Sequence, residues 1–169
     1  MGINQKVVTQ FPKGVLRALS LTATAGLSIG LAISSPASAS SGMSGAEKLR
    51  QLDIMLMVTA LRCRSTPDDF MAEYGDFTAN HMDELKQANA QLRTELSVGN
   101  GVEGADRALD RLSTTMANRY GQGHPRLDCA QLKMATRNLS QIKGWVALEE
   151  AADQLLDGSE ASQLAILRR

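Results

Sequence analysis

The chain has 169 residues, with 18 Lys plus Arg balanced by 18 Asp plus Glu, two cysteines and a hydrophobic fraction of 43%. Its arginines are interleaved with acids, as in Asp106-Arg107 and Asp110-Arg111. That excludes the broad basic face that nucleic-acid binding needs to release counterions.

Lys6, Lys13 and Arg17 precede an apolar run from Val15 to Ile33, followed by Pro36 and the small-x-small string Ala37-Ser38-Ala39. This pattern predicts a signal peptide over 1–39, cleaved before Ser40, and a periplasmic or secreted protein. The run is diluted by Arg17, Ser20, Thr22, Thr24, Gly26, Ser28 and Gly30, which makes it a poor spanning helix. No cysteine follows it to take a lipid, so no stable membrane insertion is expected after cleavage. From Ser40 on, 15 basic side chains face 18 acidic ones, a formal net charge of −3 over about 130 residues. That length suffices for one domain with its own core. Residues 40–45 are expected to be a flexible lead-in, 46–158 a helical domain and 159–169 a tail.

Leu, Ala and Met outnumber Val and Ile in this domain, a composition that favours helices. A first helix is predicted from about Ala46 to Arg62 through the stripe Leu49, Leu52, Leu56, Ala60 and Cys63. A second, long helix follows from Phe70 through Tyr74, Phe77, His81, Leu85, Ala88, Leu92 and Leu96. Thr66 is its expected N-cap, with Pro67 at the first position and Asp69 completing a capping box, and Gly99 to Gly104 end it. Ala108 or Leu109, Leu112, Met116 and Tyr120 mark a third helix, closed by Gly121-Gln122-Gly123-His124-Pro125. Asp128, with Gln131 three residues on, caps a fourth helix through Leu132, Ala135, Leu139 and Ile142, ending at Gly144. Trp145, Leu148, Ala152 and Leu155 form a fifth that ends at Gly158. The expected fold is all-α, a small bundle of four to five helices.

Two cysteines in an exported chain most simply form one disulfide, Cys63 to Cys129. Their distance in sequence excludes a C-x-x-C redox pair, a haem attachment string and a zinc site. Gly99 to Gly104 spell G-x-G-x-x-G, but a helix rather than a strand precedes them, so a helix linker is expected and no nucleotide cofactor. His81 lies on the apolar stripe with Asp83 and Glu84 beyond it. A carboxylate-bundle metal site needs E-x-x-H and a second copy, which the chain lacks, so no metal is expected. The methionines read as core filling. Asp68-Asp69 and Glu149-Glu150 lie at helix starts or on solvated faces, and neither histidine has a nucleophile that sequence could nominate. No catalytic residue is assigned.

Three stretches carry a resemblance: Gly45 to Arg50 (GAEKLR), Leu52 to Arg64 (LDIMLMVTALRCR), and Tyr120 to Pro125 (YGQGHP) followed by Cys129. Together they resemble a family of short, exported bacterial helical proteins, over nearly all of the chain after the leader. The resemblance implies no activity. Some members carry the transferred name S-adenosylhomocysteine hydrolase, which is a misnomer here. The enzyme of that name is a large cytoplasmic NAD-dependent protein with a parallel-sheet domain, for which a helical chain of this length has no room.

The leading functional expectation is a non-enzymatic binding or interaction protein of the envelope, with an unknown envelope protein or a small anionic ligand as partner. The alternatives are a small envelope hydrolase with its site near His124, and a periplasmic stress chaperone that exposes the Phe70-Tyr74-Phe77 stripe. A Cys63–Cys129 bridge would gather Arg62 and Arg64 with His124 and Arg126 beside the N-terminus of the fourth helix, a candidate anion site. Asp68, Asp69 and Asp128 are close enough in sequence to neutralise those arginines instead.

Overall fold

A computed structural model describes residues 42–156. The expected signal peptide, its cleavage site and the tail 159–169 lie outside the described residues. Six helices and no strand occur among the described residues: α1 Gly45–Cys63, α2 Met71–Asn80, α3 Met82–Asn100, α4 Val102–Tyr120, α5 Cys129–Leu139 and α6 Trp145–Leu156.

The first helix is the axis of the domain. Ser44 starts it, its Oγ accepting from the Glu47 N–H at 3.2 Å. The predicted stripe Leu49, Leu52, Leu56, Ala60 and Cys63 is buried. So are Lys48, Gln51, Ile54, Met55 and Thr59 on other faces, because every other helix packs against α1. Its buried polar groups are therefore paired, as burial requires. Gln51 donates to the Tyr120 hydroxyl at 2.9 Å, and Thr59 Oγ1 donates to the Met55 carbonyl at 2.7 Å. Lys48 reaches Asp153 at 2.8 Å and Glu149 at 3.4 Å on α6.

The expected long second helix is two. His81 leaves the helical region, at φ −117° and ψ 19°, and separates α2 from α3. The cause is tertiary: α2 packs on α5, whereas α3 pairs with α4. The end of α5 also captures the junction. Asn80 donates to the Ser140 carbonyl at 3.1 Å, and His81 Nε2 donates to the Leu139 carbonyl at 2.9 Å. The His81 ring is buried against Phe77, ring centroids 5.0 Å apart, and its Nδ1 has no hydrogen-bond partner.

The start of that segment also differs from expectation. Thr66 does not cap α2; its hydroxyl turns back to donate to the Cys63 carbonyl at 2.7 Å, closing α1. Asp69 Oδ1 accepts from the Met71 N–H at 3.0 Å, and the helix begins five residues after Thr66. Phe70, fully buried, is the residue this shift delivers to the core.

The glycine-rich string shrinks to one connecting residue. The third helix runs through Gly99 to Asn100, Gly101 turns the chain at φ +69°, and α4 begins at Val102. That backbone angle favours glycine. A helix on each side removes the geometry a dinucleotide fingerprint requires. The capping box of α5 is as predicted, with Gln131 N–H to Asp128 at 2.8 Å and Asp128 N–H to Gln131 at 3.0 Å. That helix ends at Leu139 rather than near Gly144, because Ser140 and its neighbours bend to meet Asn80. On α6, Leu148, Ala151, Ala152 and Leu155 are buried.

Candidate functional site at the disulfide

Cys63 is the last residue of α1 and Cys129 the first of α5. They are bridged, with Cα atoms 5.8 Å apart across a separation of 66 residues. The bridge borders an open cleft of about 200 Å³ whose walls include Thr59, Arg62, Gly123, His124 and Asp128. Of the four residues expected to form an anion site, Arg62 and His124 line this cleft. Arg64 and Arg126 are exposed and are not among its lining.

Backbone geometry sets the Arg62 side chain in place. Gly123 adopts φ +102°, and a Cβ there would lie 3.3 Å from Arg62 Nε, so the guanidinium stem lies across the glycine. The Arg62 guanidinium makes one long contact, donating to the Gly121 carbonyl at 3.5 Å. Among the described residues no carboxylate forms an ion pair with it.

His124 has a bracing role. Its Nδ1 accepts from the backbone N–H groups of Arg126 at 3.2 Å and Leu127 at 3.0 Å. An accepting Nδ1 places the proton on Nε2 in the neutral ring. It stacks near Tyr120, centroids 6.3 Å apart and planes 12° apart. Burial of the ring, reinforced by the Arg126 charge, holds its pKa below the ordinary histidine value against the opposing Leu155 bond. The Nδ1 lone pair of His124 is thus engaged by two backbone N–H groups. The Asp128 carboxylate is likewise committed, to the Gln131 N–H at the start of α5. The cleft therefore carries one cation, Arg62, without an ion-pair partner among the described residues, and one carboxylate, Asp128, that caps α5.

Two polar clusters escaped the sequence reading. Arg50 donates through Nε and Nη2 to Ser113 Oγ, both at 3.2 Å, and lies 3.7 Å from Asp53, whose Oδ1 accepts from the Tyr74 hydroxyl at 3.0 Å. Burial pushes the Asp53 carboxyl up, against the Tyr74 bond and the Arg50 charge. Burial and then Asp53 raise the Tyr74 phenol well above its usual value. The second cluster is Lys48 with Glu149 and Asp153, where Glu149 also accepts from Trp145 Nε1 at 3.1 Å. The signal was available for one partner of each: Lys48 and Asp53 flank the stripe residues Leu49 and Leu52 in the first predicted helix, where a polar residue beside a buried one needs a partner. No group of three or more His, Cys, Asp or Glu side chains suited to a metal occurs among the described residues. The Phe70-Tyr74-Phe77 stripe is largely interior, with both phenylalanines fully buried.

Comparison of the chain with protein-family models, with curated proteins and with solved structures finds no match.

Proposed function

We propose that this chain is an exported, bridge-stapled helical protein of the bacterial envelope, one of the short helical proteins it resembles, that acts by binding rather than by catalysis. Its contact site is the cleft over Cys63–Cys129, and its ligand is a small carboxylate or phosphate compound, or an acidic group on an envelope protein. The observation that carries this reading is Arg62, held across Gly123 at the cleft edge with no carboxylate partner among the described residues. The engagement of His124 Nδ1 by two backbone N–H groups supports binding over hydrolysis. The disulfide supports a compartment outside the reducing cytoplasm.

The test is a thermal-shift titration with inorganic phosphate and with citrate, on wild type and on Arg62→Gln. A ligand that binds only the folded state raises Tm with concentration. The expected result is a concentration-dependent rise in wild type that Arg62→Gln loses. No rise in wild type overturns the anion reading. For export, the intact mass of the protein recovered from the envelope fraction should begin at Ser40. A chain retaining Met1 in the membrane pellet overturns the localisation.

A further inference from the structure

The two sulfurs of the bridge are not equivalent. Cys63 is 2% exposed and closes the C-terminal end of α1, where its carbonyl already accepts from the Thr66 N–H and hydroxyl. Cys129 is partly exposed and opens α5. A helix start stabilises a thiolate, and a helix end disfavours one. Both cysteines border the cleft, which is open to solvent at the Arg62 edge. The helix ends make Cys129 the better leaving thiolate, which alone would direct attack to Cys63; Cys63 is 2% exposed, however, and the half-buried Cys129 is the one an incoming thiol can reach, so access sets the direction against leaving-group acidity.

We infer that the cleft makes the Cys63–Cys129 bridge a thiol–disulfide exchange site for small thiols that carry a carboxylate, with first attack at Cys129 Sγ. The incoming thiolate forms an S–S bond to Cys129 as the Cys63–Cys129 bond breaks. The electron pair leaves on Cys63, which takes a proton from water. A second thiolate then displaces Cys129, giving the oxidised small thiol and two protein thiols; alternatively, Cys63 attacks the mixed disulfide and re-closes the bridge. The Arg62 guanidinium draws the carboxylate-bearing thiol into the cleft. Only that selectivity rests on the anion reading above. The exchange itself rests on the exposure of Cys129.

The experiment uses the folded, oxidised protein under native conditions. Glutathione and 2-mercaptoethanol are compared at equal thiolate concentration, with iodoacetamide quenching and peptide mass mapping of the adduct. The same rates measured in urea give each thiol's reactivity toward an unshielded bridge. The expected result is a mixed disulfide mapping to Cys129. Exchange with glutathione should be faster, relative to 2-mercaptoethanol, in the folded protein than in urea. Arg62→Gln should remove that excess severalfold. A bridge inert to both thiols until urea unfolds the chain, or an adduct on Cys63, overturns the exchange site. Exchange at Cys129 with no glutathione excess overturns the role of Arg62 in exchange and leaves the exchange chemistry standing, whereas the anion reading is decided by the phosphate and citrate titration.

Discussion

Replacing both bridge cysteines, Cys63→Ala with Cys129→Ala, should destabilise the domain mainly through its unfolded state. The bridge closes 66 residues, covering α2, α3 and α4 in full. A loop of that size costs the cross-linked unfolded chain entropy equivalent to about 4 kcal/mol at 25 °C. The folded state loses less, because the core on either side of the bridge remains apolar through Ala60, Leu132 and Ala135. For a domain of this length, about 4 kcal/mol corresponds to a fall in Tm of roughly 15 °C. Urea unfolding followed by circular dichroism should give the same loss at 25 °C. It should also give a steeper dependence on urea for the variant, since an uncrosslinked chain exposes more surface on unfolding. Wild type reduced with excess dithiothreitol should match the variant. A loss below about 1 kcal/mol, or an unchanged urea slope, would refute the unfolded-state argument.

Other perturbations address the buried polar groups. His124 has a folded-state pKa below the ordinary 6.5, so its contribution is complete above that pH and declines as the pH falls below it. His124→Gln should flatten the loss of urea midpoint between pH 7 and pH 5, and an equally steep loss would remove His124 as its source. Tyr74 behaves oppositely: its phenol is raised above the ordinary 10.0, so stability present below pH 10 declines as the pH rises further. Tyr74→Phe should flatten that alkaline limb, and identical limbs in the two proteins would contradict the raised phenol. In Gly45→Ala the new Cβ would stand 2.6 Å from Glu149 Oε2, forcing the carboxylate away from Trp145 Nε1 and Lys48. The expected cost is about 1 kcal/mol, with a shift in the emission of Trp145, the one tryptophan of the chain; an unaltered spectrum would mean that Glu149 keeps its place.

The helical class was legible because apolar residues recur every three to four positions and few positions favour strand. The bridge was legible because the chain has two cysteines and their spacing fits neither a redox pair nor a metal site. The Asp128–Gln131 box, a purely local signal, came out as read. What sequence did not reveal was decided by partners distant along the chain. The stripe from Phe70 to Leu96 is continuous, yet His81 and Asn80 answer to carbonyls about 60 residues later. Thr66 carries a good cap signal and is claimed by the end of the preceding helix instead. At the cleft, proximity to the bridge predicted four basic residues and the structure gathers two. Side chains two residues apart on a helix do not face each other, so Arg64, the residue after the end of α1, does not share the face of Arg62.

Packing of α6 on α1 joins the last described helix to the first across about 100 residues of chain. Leu148, Ala151, Ala152 and Leu155 arrive only after the other five described helices have been made. Until they do, one flank of α1 stays uncovered and Lys48 has neither Asp153 nor Glu149. Closure of the domain is therefore governed by timing. A chain emerging N-terminus first cannot lock its central helix early, and contacts of such long range are slow to form. The arrangement leaves the core of the growing polypeptide open along one side of α1 until residues 145–156 have been made.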